Sequence, residues 1–190
     1  MNLHWQAMPA LKLLLMLLMN FFVLAAPGHS ASQLESGELA PDFQLYDQNN
    51  QLQTLEKYRG QWVILYFYPK NDTPGCTEEA CNFRDDYIGI RRHQAFLLGV
   101  NIDTEGNHRR FSKKHSLPFP LLADLNGTVA RQYGAAWKLG PLMLTKRHTF
   151  IINPEGRIAR IYRKVNTKTH SKEIITALQE LKETTATVNP

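Results

Sequence analysis

The chain has 190 residues, with 22 lysines and arginines against 17 aspartates and glutamates, for a formal net charge of +5. The basic dyads Arg91-Arg92, Arg109-Arg110 and Lys113-Lys114 stand apart with no interleaved aromatic residues. That pattern excludes a nucleic-acid face and reads as solvated helix surfaces. The two cysteines, Cys76 and Cys81, are spaced C-x4-C without the second ligand pair a zinc site requires, so neither metal nor cofactor is expected.

Residues 1–31 read as a leader. Lys12 precedes LLLMLLMNFFVLAA, and small and turn-forming residues follow to Ala31. A basic start, a short apolar core and a small-residue exit form the layout of an export signal. The apolar run is shorter than the ~20 residues of a membrane span. A cleaved signal and an uncleaved anchor over residues 11–26 both remain open, and either sends the protein to the cell envelope or periplasm. Residues 32–190 are then one domain with ample core.

Residues 36–53 open that domain as an irregular start and a hairpin, DFQLYD and QLQTL around Gln48-Asn49-Asn50. Residues 55–60 connect to Val63–Tyr68, a β-branched and aromatic run that predicts a strand buried on both faces. Pro69 ends it, and Lys70 to Gly75 form a polar turn punctuated by Pro74-Gly75. Cys76 follows, with Thr77, Glu78 and Glu79 forming an acidic first helical turn. A cysteine therefore stands where a buried strand gives way to a helix. Unpaired backbone N–H groups there carry partial positive charge, which favours a thiolate. Its Pro, Gly, Thr and Glu neighbours are not those of a core-packing cysteine.

Further on, residues 78–92 carry Ala80, Phe83, Tyr87, Ile88 and Ile90 on one helical face, and AFLLGVNI (95–102) is the next buried strand. Asp103 or Thr104 caps a helix that runs to about His115. Leu121 to Ala123 is a short strand, and Gly127 to Tyr133 a short helix. Residues 149–152 and 157–162 form a hairpin around Asn153-Pro154-Glu155-Gly156, and residues 171–181 form a closing amphipathic helix. His93, His108, His115 and His170 lie in polar helical stretches and are expected at the surface. His148, next to Arg147 on a strand, is expected to face away from it.

If both cysteines lie on one helix, five residues separate them by about 7.5 Å of rise, whereas a disulfide needs Cα atoms within about 7 Å. A permanent bridge is therefore excluded, and Cys81 is either a helix-packing residue or a transient partner. The spacing of Pro69, Thr73 and Cys76, P-x-x-x-T-x-x-C inside FYPKNDTPGCTEEAC, resembles the peroxiredoxins. The closest likeness is to their peroxiredoxin Q or bacterioferritin-comigratory-protein branch. It extends over about residues 36–181 and recurs in LGVNID, HSLPFPLLAD and KRHTFIINPEG. Asn101 and Asn153 depart from it, standing where the family usually has serine and aspartate.

The resemblance implies an α/β fold of thioredoxin-like type, a central mixed sheet flanked by helices. It also implies a thiol-dependent peroxidase. Cys76 would attack the peroxide, Thr73 and Arg147 would hold its oxygens, Pro69 would shape the pocket, and Cys81 would resolve the sulfenic acid. Removing Arg147 is expected to slow oxidation with little change in stability. The expected partners are hydrogen peroxide, alkyl hydroperoxides and a thioredoxin-like or other thiol reductant, with the protein acting as a monomer. The rival reading, a thiol–disulfide exchange domain, would place C-x-x-C at the helix start, which this chain lacks.

Overall fold

The computed structural model describes residues 33–140 and 142–188, which belong to one unit, Gln33–Pro190. The leader expected over residues 1–31 lies outside the described residues. No helix among the described residues is long and apolar enough to cross a membrane.

The chain opens with the hairpin β1 (Gln44–Tyr46) and β2 (Leu52–Thr54), then a 3-10 turn over Leu55–Tyr58 capped by Thr54 Oγ1. Strand β3 (Trp62–Phe67) is buried at every position. Its side chains alternate between two cores. Trp62, Ile64 and Tyr66 pack with Ala80, Phe83, Ile90, Phe111, Ile174 and Leu178. Val63, Leu65 and Phe67 pack on the opposite face with Phe43, Leu98, Val129, Tyr133 and Phe150. Burial of both faces by separate layers explains the unbroken apolar run.

Two helices follow, α1 (Pro74–Asp85) and α2 (Tyr87–Arg92). The sequence predicts one helix here; it divides at Asp86, whose carboxylate accepts from Ser171 Oγ at 2.7 Å. Next come β4 (Ala95–Asn101), α3 (Glu105–His115), β5 (Leu121–Ala123) and α4 (Thr128–Gln132). Thr104 Oγ1 caps α3 by accepting from Asn107 N at 3.3 Å. Strands β6 (Ala136–Leu139) and β7 (Leu142–Thr145) then form a hairpin the sequence did not announce. It stands apart from the main sheet with Trp137 and Leu142 exposed, so it lacks the continuous apolar face that marks a core strand. Last are β8 (His148–Ile152), β9 (Ile158–Tyr162) and the closing helix α5 (His170–Val188).

The central sheet has the order β5-β4-β3-β8-β9. β3, β4 and β5 are parallel, and β8 and β9 are antiparallel additions. This is the mixed, helix-flanked sheet of the thioredoxin-like fold.

Two histidines expected at the surface are in the core. His108 and His170 are both fully buried, and burial pushes each down to about 4. His108 lies on the face of α3 that also carries Phe111 inward, and His170 docks the start of α5 on the sheet, with Nε2 2.8 Å from Thr149 Oγ1. A polar local sequence does not reveal which side of a helix the fold covers. His148 pairs with Phe67 across the sheet and packs on Phe150, on the face of the sheet opposite Cys76; β8 begins at His148, so strand alternation with Arg147 is not the reason.

Candidate active site

The site forms where β3 runs out. Tyr68 N still bonds Val100 O at 3.2 Å, but Pro69, half-buried, donates nothing and the chain turns. The turn, Lys70 to Thr73, is pinned from below by a buried polar network. Asn71 N donates to Asp103 Oδ2 at 2.8 Å, and Tyr68 OH to Asn71 Oδ1 at 2.8 Å. Asn71 Nδ2 meets His108 Nδ1 at 3.1 Å, and Asn101 Nδ2 donates to Asp103 Oδ2 at 3.1 Å. Asn101, one of the two departures from the family pattern, thus helps hold the loop that precedes the cysteine.

Thr73 stands at the N-cap of α1 but does not cap it. Its hydroxyl donates instead to Lys70 O at 3.1 Å, not to the Cys76 sulfur, and leaves its lone pairs free to accept. The first α-helical bond comes from Thr77 N to Thr73 O at 2.9 Å. Pro74 opens the helix, where its missing N–H costs nothing, and Gly75 lies against the Arg147 guanidinium, where an added Cβ would meet Nη2 at 3.5 Å.

Cys76 is 1% exposed and packs at the rim of the core that holds Tyr66, Tyr68 and Ala80. Its polar flanks suggested an open setting. The helix N-terminus instead lies over the end of the sheet, which covers the sulfur. Arg147 Nη2 donates to Cys76 Sγ at 3.3 Å. Arg147 is not on a strand, as expected, but in the two-residue link between β7 and β8. That link is set in place by the unannounced hairpin: Thr145 Oγ1 donates to Tyr68 O, and Lys146 N to Ala135 O at 2.6 Å.

Glu79 is the residue sequence reasoning passed over. The sequence predicts it in an acidic first helical turn, yet the first turn of α1 holds no acidic residue and Glu79, one turn further on, is 1% exposed. One turn after Cys76, its Oε2 accepts from Arg147 Nη1, so the guanidinium bridges carboxylate and sulfur. Oε1 has no partner. Burial pushes the carboxyl up to about 7 against the pull of Arg147. The one sequence signal available was its i+3 spacing from Cys76, which puts both on one helix face.

Cys81 lies on the same helix, half-buried, and both cysteines are free. Its Sγ faces α3, 3.9 Å from His115 Nδ1. The outer side of α1 is strapped by Thr167, whose carbonyl accepts from Asn82 Nδ2 at 2.9 Å and whose hydroxyl donates to Glu78. Among the described residues no group of three ligating side chains could hold a metal.

A buried sulfur held by a guanidinium at a strand-to-helix junction suits attack on a small electrophile. The AhpC/TSA family matches residues 36–161 of this chain. The peroxiredoxin Bcp of Bacillus subtilis is 39% identical over 155 residues, 79% of this chain and 98% of that protein. The chain belongs to the peroxiredoxins, in the Q/Bcp branch. This peroxiredoxin is a thiol-dependent peroxidase, an oxidoreductase. Its fold is similar to the crystal structure of peroxidoxin BcpB from Mycobacterium tuberculosis, with 30% identity, 77% of this chain, 97% of that chain and a TM-score of 0.73. It is also similar to the Xanthomonas campestris bacterioferritin comigratory protein, which is described for alkyl peroxide reduction, with 29% identity, 77% of this chain, 98% of that chain and a TM-score of 0.71.

Proposed function

We propose that this peroxiredoxin reduces hydrogen peroxide and alkyl hydroperoxides through a sulfenic acid on Cys76, which Cys81 resolves as an intramolecular disulfide. The observation that carries this reading is the Arg147 guanidinium, 3.3 Å from Cys76 Sγ through one nitrogen and fixed on Glu79 through the other. The Cys76 thiolate attacks one peroxide oxygen, the O–O bond breaks, and the other oxygen leaves with a proton as water or alcohol. Arg147, Thr73 and the N–H groups at the start of α1 are the donors and acceptors that hold the two oxygens in line. Preorganised donors of this kind are typically worth about 2.7–4 kcal/mol each in the transition state. Pro69 closes one side of the pocket.

Cys81 then displaces hydroxide from the sulfenic sulfur, and an external thiol of thioredoxin type reopens the bridge by exchange. The reductant class follows from the bridge, since a dithiol reopens it through one mixed disulfide. We further propose that the enzyme works as a monomer, because both cysteines lie on one helix. Export to the envelope rests on the sequence of residues 1–31 alone; fractionating cells that express the full chain or residues 32–190 tests it.

Stopped-flow oxidation by hydrogen peroxide with mass spectrometry of the products tests the chemistry. Cys76→Ser is expected to consume no peroxide. Cys81→Ser is expected to consume about one peroxide per chain and then stall unless a thiol is added. Normal turnover by Cys76→Ser would refute the assignment.

A further inference from the structure

Resolution requires a thiolate on Cys81, because a thiol attacks sulfur poorly. The side chain next to Cys81 is suited to produce it. His115 is the last residue of α3, and its Nδ1 lies 3.9 Å from Cys81 Sγ. Its other ring nitrogen, Nε2, faces Asp72 Oδ1 at 3.7 Å. Phe111 packs edge-on against the ring at 4.9 Å between centroids, and Arg84 Nη1 donates to the His115 carbonyl at 2.9 Å. Phe111 thus packs the ring from α3, Arg84 anchors its backbone from α1, and Nε2 is buried without a hydrogen-bond partner, with the Asp72 carboxylate as the nearest charge.

We propose that His115 is the base that takes the thiol proton of Cys81 when the sulfenic acid is resolved, with the nearby Asp72 carboxylate favouring the required tautomer by its charge. The proposal rests on the reading that Cys81 is the resolving cysteine. A carboxylate beside Nε2 favours the proton on that nitrogen, which leaves the Nδ1 lone pair facing the thiol. Once protonated, the imidazolium sits at the C-terminal end of α3, where the helix dipole favours a cation. The charged groups facing it are Asp72 from the loop, Arg84 from α1 and Lys114 beside it on α3. Lys114 is turned to Asp72 Oδ1 at 2.7 Å, and Arg84 also meets Asp85 at 2.8 Å, so both cations are partly neutralised.

The step balances. His115 takes the proton from Cys81, and the Cys81 sulfur attacks the Cys76 sulfur. The S–O bond breaks, and hydroxide departs and regains the proton as water. The Cys81 sulfur is oxidised and the Cys76 sulfur reduced, with the peroxide of the preceding step as the oxidant. The contact with His115 exists while α1 is intact, so deprotonation precedes or accompanies the unwinding that brings the sulfurs together.

The test is a single turnover of the reduced full chain with one equivalent of hydrogen peroxide, quenched at intervals. Mass spectrometry then counts sulfenic acid, trapped by a dione, and the Cys76–Cys81 disulfide, from about pH 6 to 9. In His115→Gln the disulfide is expected to form at least roughly tenfold more slowly at neutral pH. The deficit should narrow at alkaline pH, where solvent hydroxide removes the proton instead. The burst of Cys76 oxidation in the same traces separates this from a fault in the first step. Asp72→Asn, at a half-exposed position, should show a smaller slowing with the same convergence, and carries the test if His115→Gln folds poorly. Disulfide formation at the parent rate, or slowed by one factor at every pH, would overturn the proposal and leave His115 a packing residue. A parent enzyme that forms no Cys76–Cys81 disulfide would overturn both the proposal and the resolving role of Cys81.

Discussion

Replacing Glu79 by glutamine separates two effects that the Cys76–Arg147–Glu79 cluster combines. The parent carboxyl, 1% exposed with one oxygen unpartnered, is raised from its ordinary 4.5 to about 7. At roughly 1.4 kcal/mol per pH unit, that displacement corresponds to about 3 kcal/mol held against ionisation in the folded state. Burial, the cause of the rise, outweighs the attraction of Arg147. The folded chain keeps this proton where the unfolded chain has lost it, so stability falls as pH rises from about 4.5 to about 7 and is level beyond. Glutamine has no proton to lose. Glu79→Gln should therefore gain about 3 kcal/mol relative to the parent across that window. Urea denaturation of the reduced proteins, followed by tryptophan fluorescence at several pH values, measures the difference. Parallel pH curves for the two proteins would refute the reasoning.

The same cluster revises the expectation that Arg147 can be removed with little loss of stability. Arg147→Ala removes the group that offsets the burial of Glu79, so the carboxyl keeps its proton to higher pH and the cost of an unpaired buried carboxylate, typically about 3–5 kcal/mol, is met only as pH rises above 7. It should extend the fall in stability above pH 7, and the double variant with Glu79→Gln should recover most of it. Peroxide oxidation should slow by roughly a hundredfold or more in both.

Three further outcomes are expected. Oxidation must unwind the start of α1, since about 7.5 Å of helical rise separates the cysteines, so amide exchange across residues 77–84 should accelerate while the sheet stays protected; unchanged exchange would rule out the coupling. Gly99→Ala should cost about 1–3 kcal/mol in urea denaturation, because the new Cβ would lie 2.8 Å from Leu121 Cδ2 and from the Tyr66 ring; an unshifted midpoint would mean the sheet yields there. His170, lowered to about 4 by burial, should make the fold less stable as pH falls from 6.5 to about 4, by up to about 3 kcal/mol. His170→Gln should remove that share and make the acid limb shallower, the remainder coming from His108 and His148, which burial lowers alike, and the sign is opposite to that of Glu79.

The local sequence carried the elements and the centre of the site. Val63–Tyr68, with every residue apolar, identified a strand covered on both faces, and Pro69 to Cys76 placed a cysteine at the start of a helix. Asn-Pro-Glu-Gly at 153–156 marked the β8–β9 turn. These features depend on neighbours in the chain, and periodicity and turn chemistry record such neighbours. The partners of the two sulfurs depended on the tertiary structure. Arg147 and Glu79 are 68 residues apart, and His115 and Cys81 34 apart. A buried Glu79 and an exposed one read alike in PGCTEEAC, because the helical face is chosen by the sheet beneath it. His108 and His170 went inward for the same reason. Even the delivery of Arg147 depends on a hairpin with no core face of its own. Sequence by itself determined which residue could be reactive and on what element, whereas packing between distant segments decided which charges and which base stand against the two sulfurs.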